Sequence, residues 1–279
     1  MALKKHIRVS FIGAGAMTIE HLKVFSVHKN IKISGIYSRT RKKASQLAKL
    51  FKIPFVAQNI ENLYTNTNSD LVIVSVNETS TEKVCYSCFK FPWKIIVEKP
   101  VGYNLKIAQR IFNKSQLTKS DLYVAMNRRH YSSTKNLIRL AAKENGKKIL
   151  TIIDAQDISL AKKYNTPNII LKNYMYANSV HLIDYFNFAI KSEIKHIKKI
   201  VNNKNFISAI ITYKNGDIGQ YYCFWNRPGP WSVNLSTKKM YITLSPVEKI
   251  QYRNNKSYKN NEITTPKEDL IYKAGFYTQ

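Results

Sequence analysis

The chain has 279 residues, 44% of them hydrophobic, and a formal charge of +28, which is enough for two domains of ordinary size, each with its own core. It contains no run of about 18 apolar residues, which excludes a membrane-crossing helix, and Leu3-Lys4-Lys5-His6 leads straight into a strand pattern where an apolar leader would stand, so a cytoplasmic protein is expected. The basic excess is scattered, only nine of the 45 basic residues are arginines, and Lys, Asn, Ile and Tyr abound together as AT-rich coding dictates; nucleic acid is therefore an unlikely partner, although the positive field suits an anionic cofactor or substrate.

His6-Ile7-Arg8-Val9-Ser10-Phe11-Ile12 has the pattern of a short buried strand. It runs into Gly13-Ala14-Gly15-Ala16-Met17-Thr18 and then an amphipathic stretch through Leu22, Val24, Phe25 and Val27, which predicts strand, glycine turn, helix. Gly13 permits the tight turn, Gly15 lets the backbone approach a pyrophosphate, and the helix start at Ala16 and Met17 offers N–H groups and a positive dipole end to it. The third glycine of the dinucleotide fingerprint is replaced by Thr18. Such turns also serve other α/β folds, so context decides.

The second strand, Ile31 to Tyr37, ends at Ser38-Arg39-Thr40-Arg41-Lys42. An acidic residue there would accept from the adenosine ribose diol, whereas Ser38, Arg39 and Thr40 suit a 2′-phosphate. This favours NADP over NAD, although Arg39, Arg41 and Lys42 would equally solvate the start of a helix from Lys42 to Phe51. Asp70 to Val76 follows as a near-continuous apolar run of the kind covered on both faces. A helix from Thr79 to Phe89 carries Cys85 and Cys88; with no second pair or histidine cluster, core packing in a reduced compartment is expected for both and for Cys223, and no metal site. Lys94 to Val97 and Leu122 to Met126 complete five or six strands alternating with helices, a doubly wound parallel sheet. Ligands sit beyond the carboxyl ends of such strands. Gly13, Ser38, Asn77, Glu98-Lys99-Pro100 and Asn127-Arg128-Arg129 all fall there.

After about residue 127 the texture changes. A helix from Ser132 to Lys143, a strand from Lys148 to Ile158 and a helix from Asn178 to Ala189 precede alternating strands at 194–201, 206–213, 218–225, 231–235, 240–244 and 248–252. Asn215-Gly216 between two of them is a hairpin signal. The expected division is a dinucleotide-binding domain over 1–126 and an α+β domain with a largely antiparallel sheet over 127–279, which could also pair two copies of the chain.

The glycine turn, Tyr37-Ser38-Arg39-Thr40, Glu98-Lys99-Pro100, Asn127-Arg128-Arg129 and Asn178-Ser179-Val180-His181-Leu182-Ile183-Asp184 occur in the order found in the glucose–fructose oxidoreductase and inositol dehydrogenase (Gfo/Idh/MocA) family, which nearly the whole chain resembles. The resemblance implies a Rossmann domain binding NADP or NAD, and a second domain against which a sugar-type hydroxyl or ketone is oxidised or reduced. It makes Lys99 and His181 the catalytic residues. Gly13, Gly15, Ala16, Met17, Ser38, Arg39, Thr40, Asn77, Glu98 and Pro100 become the cofactor-binding set. Asn127, Arg128, Asn178, Asp184 and Trp225 become the substrate-binding set. Pro100 matches a proline often in cis, Lys99 is placed to stabilise a developing alkoxide and take its proton, and His181 is a natural proton shuttle.

Two departures stand out. Many members carry an Asp four residues before the histidine, where this chain has Ala177, so either Lys99 and His181 suffice or the protein is a catalytically weakened dinucleotide-binding sensor or regulator. The final Lys273 to Gln279 looks like the entry to a helix that members continue, which predicts a missing closing element and poor order after about residue 255. Asn127-Arg128-Arg129 suits carboxylate or phosphate groups. Trp225 and Trp231, flanking Arg227-Pro228-Gly229-Pro230, either stack on a sugar or pack the sheet. The resemblance extends to members acting in surface-sugar pathways, so a sugar or nucleotide sugar is the expected substrate.

Overall fold

Short runs of Val, Ile and Phe separated by helix-length segments build the first domain of the computed structural model, which describes residues 6–203 and 205–279. The chain divides into two compact units, the second being Asn127–Thr278. In the first, β1 (Ile7–Ile12), α1 (Ala16–Phe25), β2 (Ile31–Tyr37), α2 (Arg41–Phe51), α3 (Ile60–Thr67), β3 (Leu71–Val74), α4 (Thr81–Cys88), β4 (Lys94–Glu98), α5 (Leu105–Leu117) and β5 (Leu122–Ala125) follow one another. All neighbouring strands are parallel, in the order β2-β1-β3-β4-β5. Val9, Phe11, Ile36 and Ile73 pack on Leu22, Ala44 and Leu47, while Val72, Val74, Ile95 and Val97 pack on Cys85, Cys88 and Ile111. Both faces are thus covered, which is why these strands are apolar without alternation.

Register fixes where the strands stop. Ile12 lies opposite Tyr37 and Val74, Val74 opposite Val97, and Val97 opposite Val124, so Ser38, Gly13, Ser75 and Glu98 emerge at one level of the sheet. One helix is slightly shorter than expected, α4 running from Thr81 to Cys88, and one, α3, was not foreseen. Its signal was present, since Asn59 caps it by accepting from Asn62 N at 2.7 Å and Leu63 points into the core.

The second domain opens with a 3-10 turn at Asn127–His130 and continues through α6 (Ser132–Ala141), β6 (Ile149–Gln156), α7 (Ile158–Lys163), α8 (Asn168–Leu171), a π turn (Met175–Ser179), α9 (Val180–Ile183) and α10 (Tyr185–Phe188). The strands β7 (Ile194–Asn202), β8 (Phe206–Tyr213), β9 (Ile218–Trp225), β10 (Trp231–Ser236), β11 (Met240–Leu244), β12 (Ile250–Asn254) and β13 (Asn261–Ile263) precede α11 (Lys267–Ile271). They form an eight-stranded sheet, β13-β12-β11-β10-β6-β9-β8-β7, antiparallel except for the β6–β9 ladder. Its inner face, with Leu150, Ile152, Tyr221, Cys223, Trp225, Val233 and Leu235, packs on Leu137, Leu182, Tyr185 and Phe186. Gly216, at φ +83°, turns the β8–β9 hairpin. The edge strand β7 is exposed almost throughout and shifts register against β8 twice.

Three expectations are corrected. The helix foreseen from Asn178 starts earlier, with the π turn, and runs through α9 and α10 with Asp184 in right-handed helical conformation between them. The strand foreseen to Ile158 ends at Gln156, because Asp157 caps α7 by accepting from Leu160 N. The tail is not loose: β13 pairs with β12, and Asp269 accepts from the backbone N–H groups of Ser132 and Gly275, each at 2.9 Å. Asn127 Nδ2 donates to Ala274 O. Polar contacts to the start of the domain, together with the buried Ala274 and Phe276, hold this segment, and periodicity does not reveal such contacts.

Two outcomes are expected. Cys85, Cys88 and Cys223 are fully buried, and burial pushes the thiols of Cys85 and Cys223 up to about 12 and that of Cys88 well above its usual value, so iodoacetamide at about pH 8 should label none of them until the protein is unfolded; rapid labelling of the native protein would contradict this packing. Asp269→Ala removes two carboxylate hydrogen bonds and should cost about 1–3 kcal/mol in urea unfolding, and an unchanged midpoint would show that the tail is held by other contacts.

Candidate functional site

Gly13 N donates to Tyr37 O at 2.8 Å, and its φ of +113° turns the chain out of β1. A Cβ there would lie 1.8 Å from Ser75 O, so no other residue fits. Gly15 differs: its backbone is extended, and a Cβ would meet nothing within 4 Å. It stands at the start of α1, where no side chain caps the helix and no acidic residue occupies the first turn. Open space in front of an uncapped helix start fits the pyrophosphate of a dinucleotide.

That space is part of a cavity of about 1050 Å³ within the first domain, at the upper end of the range for cofactor sites. Gly13, Gly15, Ala16, Met17, Ser38, Arg39, Thr40, Asn77, Glu98, Lys99 and Pro100 all line it, so every residue expected to hold the cofactor opens onto one volume, together with the expected catalytic lysine. The rim after β2 places Ser38, Arg39 and Thr40 beside Lys43 on the first turn of α2. Lys43 escaped the sequence reading because it looks like one more solvated lysine. Thr40 N donates to Ser38 Oγ at 3.3 Å, closing the turn.

The peptide bond between Lys99 and Pro100 is cis. His21 Nε2 donates to Glu98 Oε1 at 2.7 Å, and both side chains are largely buried. His21 lies on the inward face of α1 with Thr18 and Leu22; that helical spacing was the available signal, since a histidine on such a face needs a polar partner.

Within the second domain the expected residues divide. Asp184 takes a two-pronged contact from Arg129, Nε to Oδ2 and Nη2 to Oδ1, both 2.6 Å. Both of its oxygens are engaged, and the contact raises the pKa of the Arg129 guanidinium. Asn127 is likewise tied to the tail. The Arg128 guanidinium is buried and lies 4.3 Å from the centre of the Trp231 ring, the favourable geometry for a cation over an indole. Trp225 faces the core from β9, and Trp231 Nε1 donates to Ala155 O. His181 is buried on α9, and Ala177 is buried in the π turn that precedes it.

Three further residues are linked to Asn178 by a chain of hydrogen bonds. Asp154 is completely buried at the centre of β6. It accepts from Tyr221 Oη at 2.7 Å and from Gln156 Nε2, while Asn178 Nδ2 donates to Gln156 Oε1 at 2.8 Å. Burial raises the carboxyl pKa of Asp154, opposed by these hydrogen bonds and the charge of Arg128, and burial beside that carboxylate pushes Tyr221 well up. Asp154 and Gln156 sit at alternate positions of β6 on the face of Leu150 and Ile152, so strict alternation carried two polar residues into the core. Among the described residues no group of three or more His, Cys, Asp or Glu side chains is arranged to hold a metal ion, and no helix is long and apolar enough to cross a membrane.

A parallel sheet reversing order at β1, with a glycine turn, an uncapped helix and a lysine around one cavity, defines a Rossmann-type nucleotide-binding domain. Residues 7–126, within the first domain, match the Gfo/Idh/MocA family model, described as "oxidoreductase family, NAD-binding Rossmann fold". Solved structures share the fold of nearly the whole chain. UDP-N-acetylglucosamine 3-dehydrogenase from Acidithiobacillus ferrooxidans aligns at 13% identity with a TM-score of 0.76, covering 98% of this chain and 86% of that one. The WlbA dehydrogenase from Bordetella pertussis, in complex with NADH and UDP-GlcNAcA, aligns at 10% identity with a TM-score of 0.73, covering 98% and 82%. The dehydrogenase from Chromobacterium violaceum reaches a TM-score of 0.81 at 14% identity, covering 98% and 84%.

Gly13→Ala forces a side chain onto Ser75 O at an unfavourable φ and should destabilise the protein by at least about 1–3 kcal/mol, read by thermal unfolding; wild-type stability would mean that β1 and β3 can separate at their ends.

Proposed function

We propose that the protein is an NADP-preferring oxidoreductase that moves a hydride between nicotinamide C4 and a hydroxyl-bearing or keto carbon of a sugar or nucleotide sugar. The observation that carries this reading is the opening of Lys99, at the end of β4, onto the same cavity as Gly13, Gly15, Ser38 and Arg39. The nicotinamide, when bound, supplies the hydride acceptor or donor. The uncapped start of α1 with Gly15, Ala16 and Met17 binds the pyrophosphate. Ser38, Arg39 and Thr40, with Lys43, bind the 2′-phosphate by charge-assisted hydrogen bonds, and Asn77 contacts the cofactor from the same cavity. Lys99 Nζ holds the substrate oxygen, receives its proton during oxidation and stabilises the alkoxide by charge. His181, whose imidazole is a natural proton shuttle, is the second catalytic residue, and Asn178 and Arg128 are substrate-binding residues.

The nucleotide-sugar dehydrogenases that share the fold support this substrate class. Ala177 favours the second reading, a sensor that binds the dinucleotide without turnover. The outer face of the second domain's sheet, where exposed Ile149 and Ile218 stand opposite one another, supports a homodimer through that face.

Lys99→Met should reduce turnover of UDP-N-acetylglucosamine, followed by NADPH absorbance, by roughly 10²–10⁴-fold while leaving the Kd for NADP within about twofold; full turnover would sink the assignment. Tight NADP binding by the wild type without turnover of any sugar nucleotide would favour the sensor. Arg39→Ala should weaken NADP roughly tenfold, about 1.4 kcal/mol, and leave NAD nearly unchanged; equal losses would overturn the NADP preference.

A further inference from the structure

Asp154 accepts hydrogen bonds from Tyr221 Oη and Gln156 Nε2, and a carboxylate oxygen in this role requires the Gln156 side chain to turn its amino group inward. The carbonyl oxygen of the same planar amide then points away, and it is this Oε1 that receives Asn178 Nδ2 at 2.8 Å. Each amide carries its donor and acceptor on opposite sides, so one fixed end of the chain sets every later link. The result is that Asn178 directs its amino group into the domain. Its Oδ1 has no hydrogen-bond partner among the described residues, and the residue is only half-buried.

We propose that Asp154 is a positioning residue that, through Gln156, aims the carbonyl oxygen of Asn178 at the substrate, so that the site selects a sugar bearing a hydroxyl or amide N–H at that point over one bearing a carbonyl or ether. The inference rests on the proposed function for the placement of Asn178 against substrate; the polarity of the relay does not depend on it. A neutral amide at position 154 can donate as well as accept, so Asp154→Asn is nearly isosteric yet releases the constraint. Reversal would present the Asn178 amino group outward and invert the preference.

The test uses the full-length protein labelled with ¹⁵N and ¹³C. The side-chain amide signals of Asn178, identified by their loss in Asn178→Ser, should show a scalar coupling across the hydrogen bond to Gln156 Cδ, and their exchange with water should be at least tenfold slower than in Asp154→Asn. Equal exchange rates in a folded Asp154→Asn variant overturn the relay. Should that variant fail to fold, absence of the coupling in the wild type overturns it instead. With UDP-N-acetylglucosamine and NADP as probes, Asp154→Asn should raise KM at least fivefold and leave kcat within about threefold; an unchanged KM alongside an accelerated amide exchange would overturn the selective role. Absence of wild-type turnover with any sugar nucleotide would remove the proposed function, and the amide measurements would still decide the relay.

Discussion

The carbonyl oxygen of Ser75 occupies the space that a side chain at residue 13 would need, and the rest of the first domain's site depends on that contact. It brings the ends of β1 and β3 together at the point where the strand order reverses. The ladder Tyr37–Ile12–Val74–Val97 then delivers Ser38, Ser75 and Glu98 to one level, each followed by a turn rather than another rung. A dinucleotide is long, and binding it along a line of strand ends requires such alignment more than it requires any one side chain. The lysine at residue 99 is placed by this register: it follows directly on the last rung of β4.

The second domain meets a different constraint. Its sheet has one covered and one open face, and the covered face carries a carboxylate, an amide and a phenol among aliphatic side chains, with the Asn178 amide reaching them from the π turn. Burying them is favourable only where their hydrogen bonds are satisfied, and the Asp154, Gln156, Asn178 and Tyr221 contacts meet that demand. Arg129 and Asp184 do the same where α9 passes into α10, so the helical run carrying His181 is anchored at both ends by polar contacts: Asn178 to β6 and Asp184 to the domain's first turn.

How much of this could be read from the residues depended on whether the signal was local. The strand and helix order of the first domain, the glycine turn and the gathering of Gly13, Ser38, Asn77 and Lys99 around one cavity followed from apolar runs and turn residues that act within a few positions. The hairpin at Asn215-Gly216 was equally local. The tail was misread because Asp269 finds Ser132 across 137 residues, and no periodicity encodes such a distance. His21 and Asp154 were passed over for a related reason: each is a polar residue at an inward position, and its partner, Glu98 or Tyr221, lies on another element. The π turn ahead of His181 leaves no pattern in composition, so the helix was expected to begin only at Asn178.

The exposed edge strand β7 has a consequence for the life of the protein in a crowded cell. Its free hydrogen-bonding edge ends an eight-stranded sheet and offers any extended segment a place to add as a ninth strand. Lys195, Lys198 and Lys199 stand along it, and two register shifts distort its ladder with β8. An incoming strand would meet like charges and a twisted, interrupted row of partners, which disfavours runaway growth of the sheet. Some of the chain's abundant lysine is thereby placed where it keeps a sheet finite and discourages association with unfolded copies of the chain.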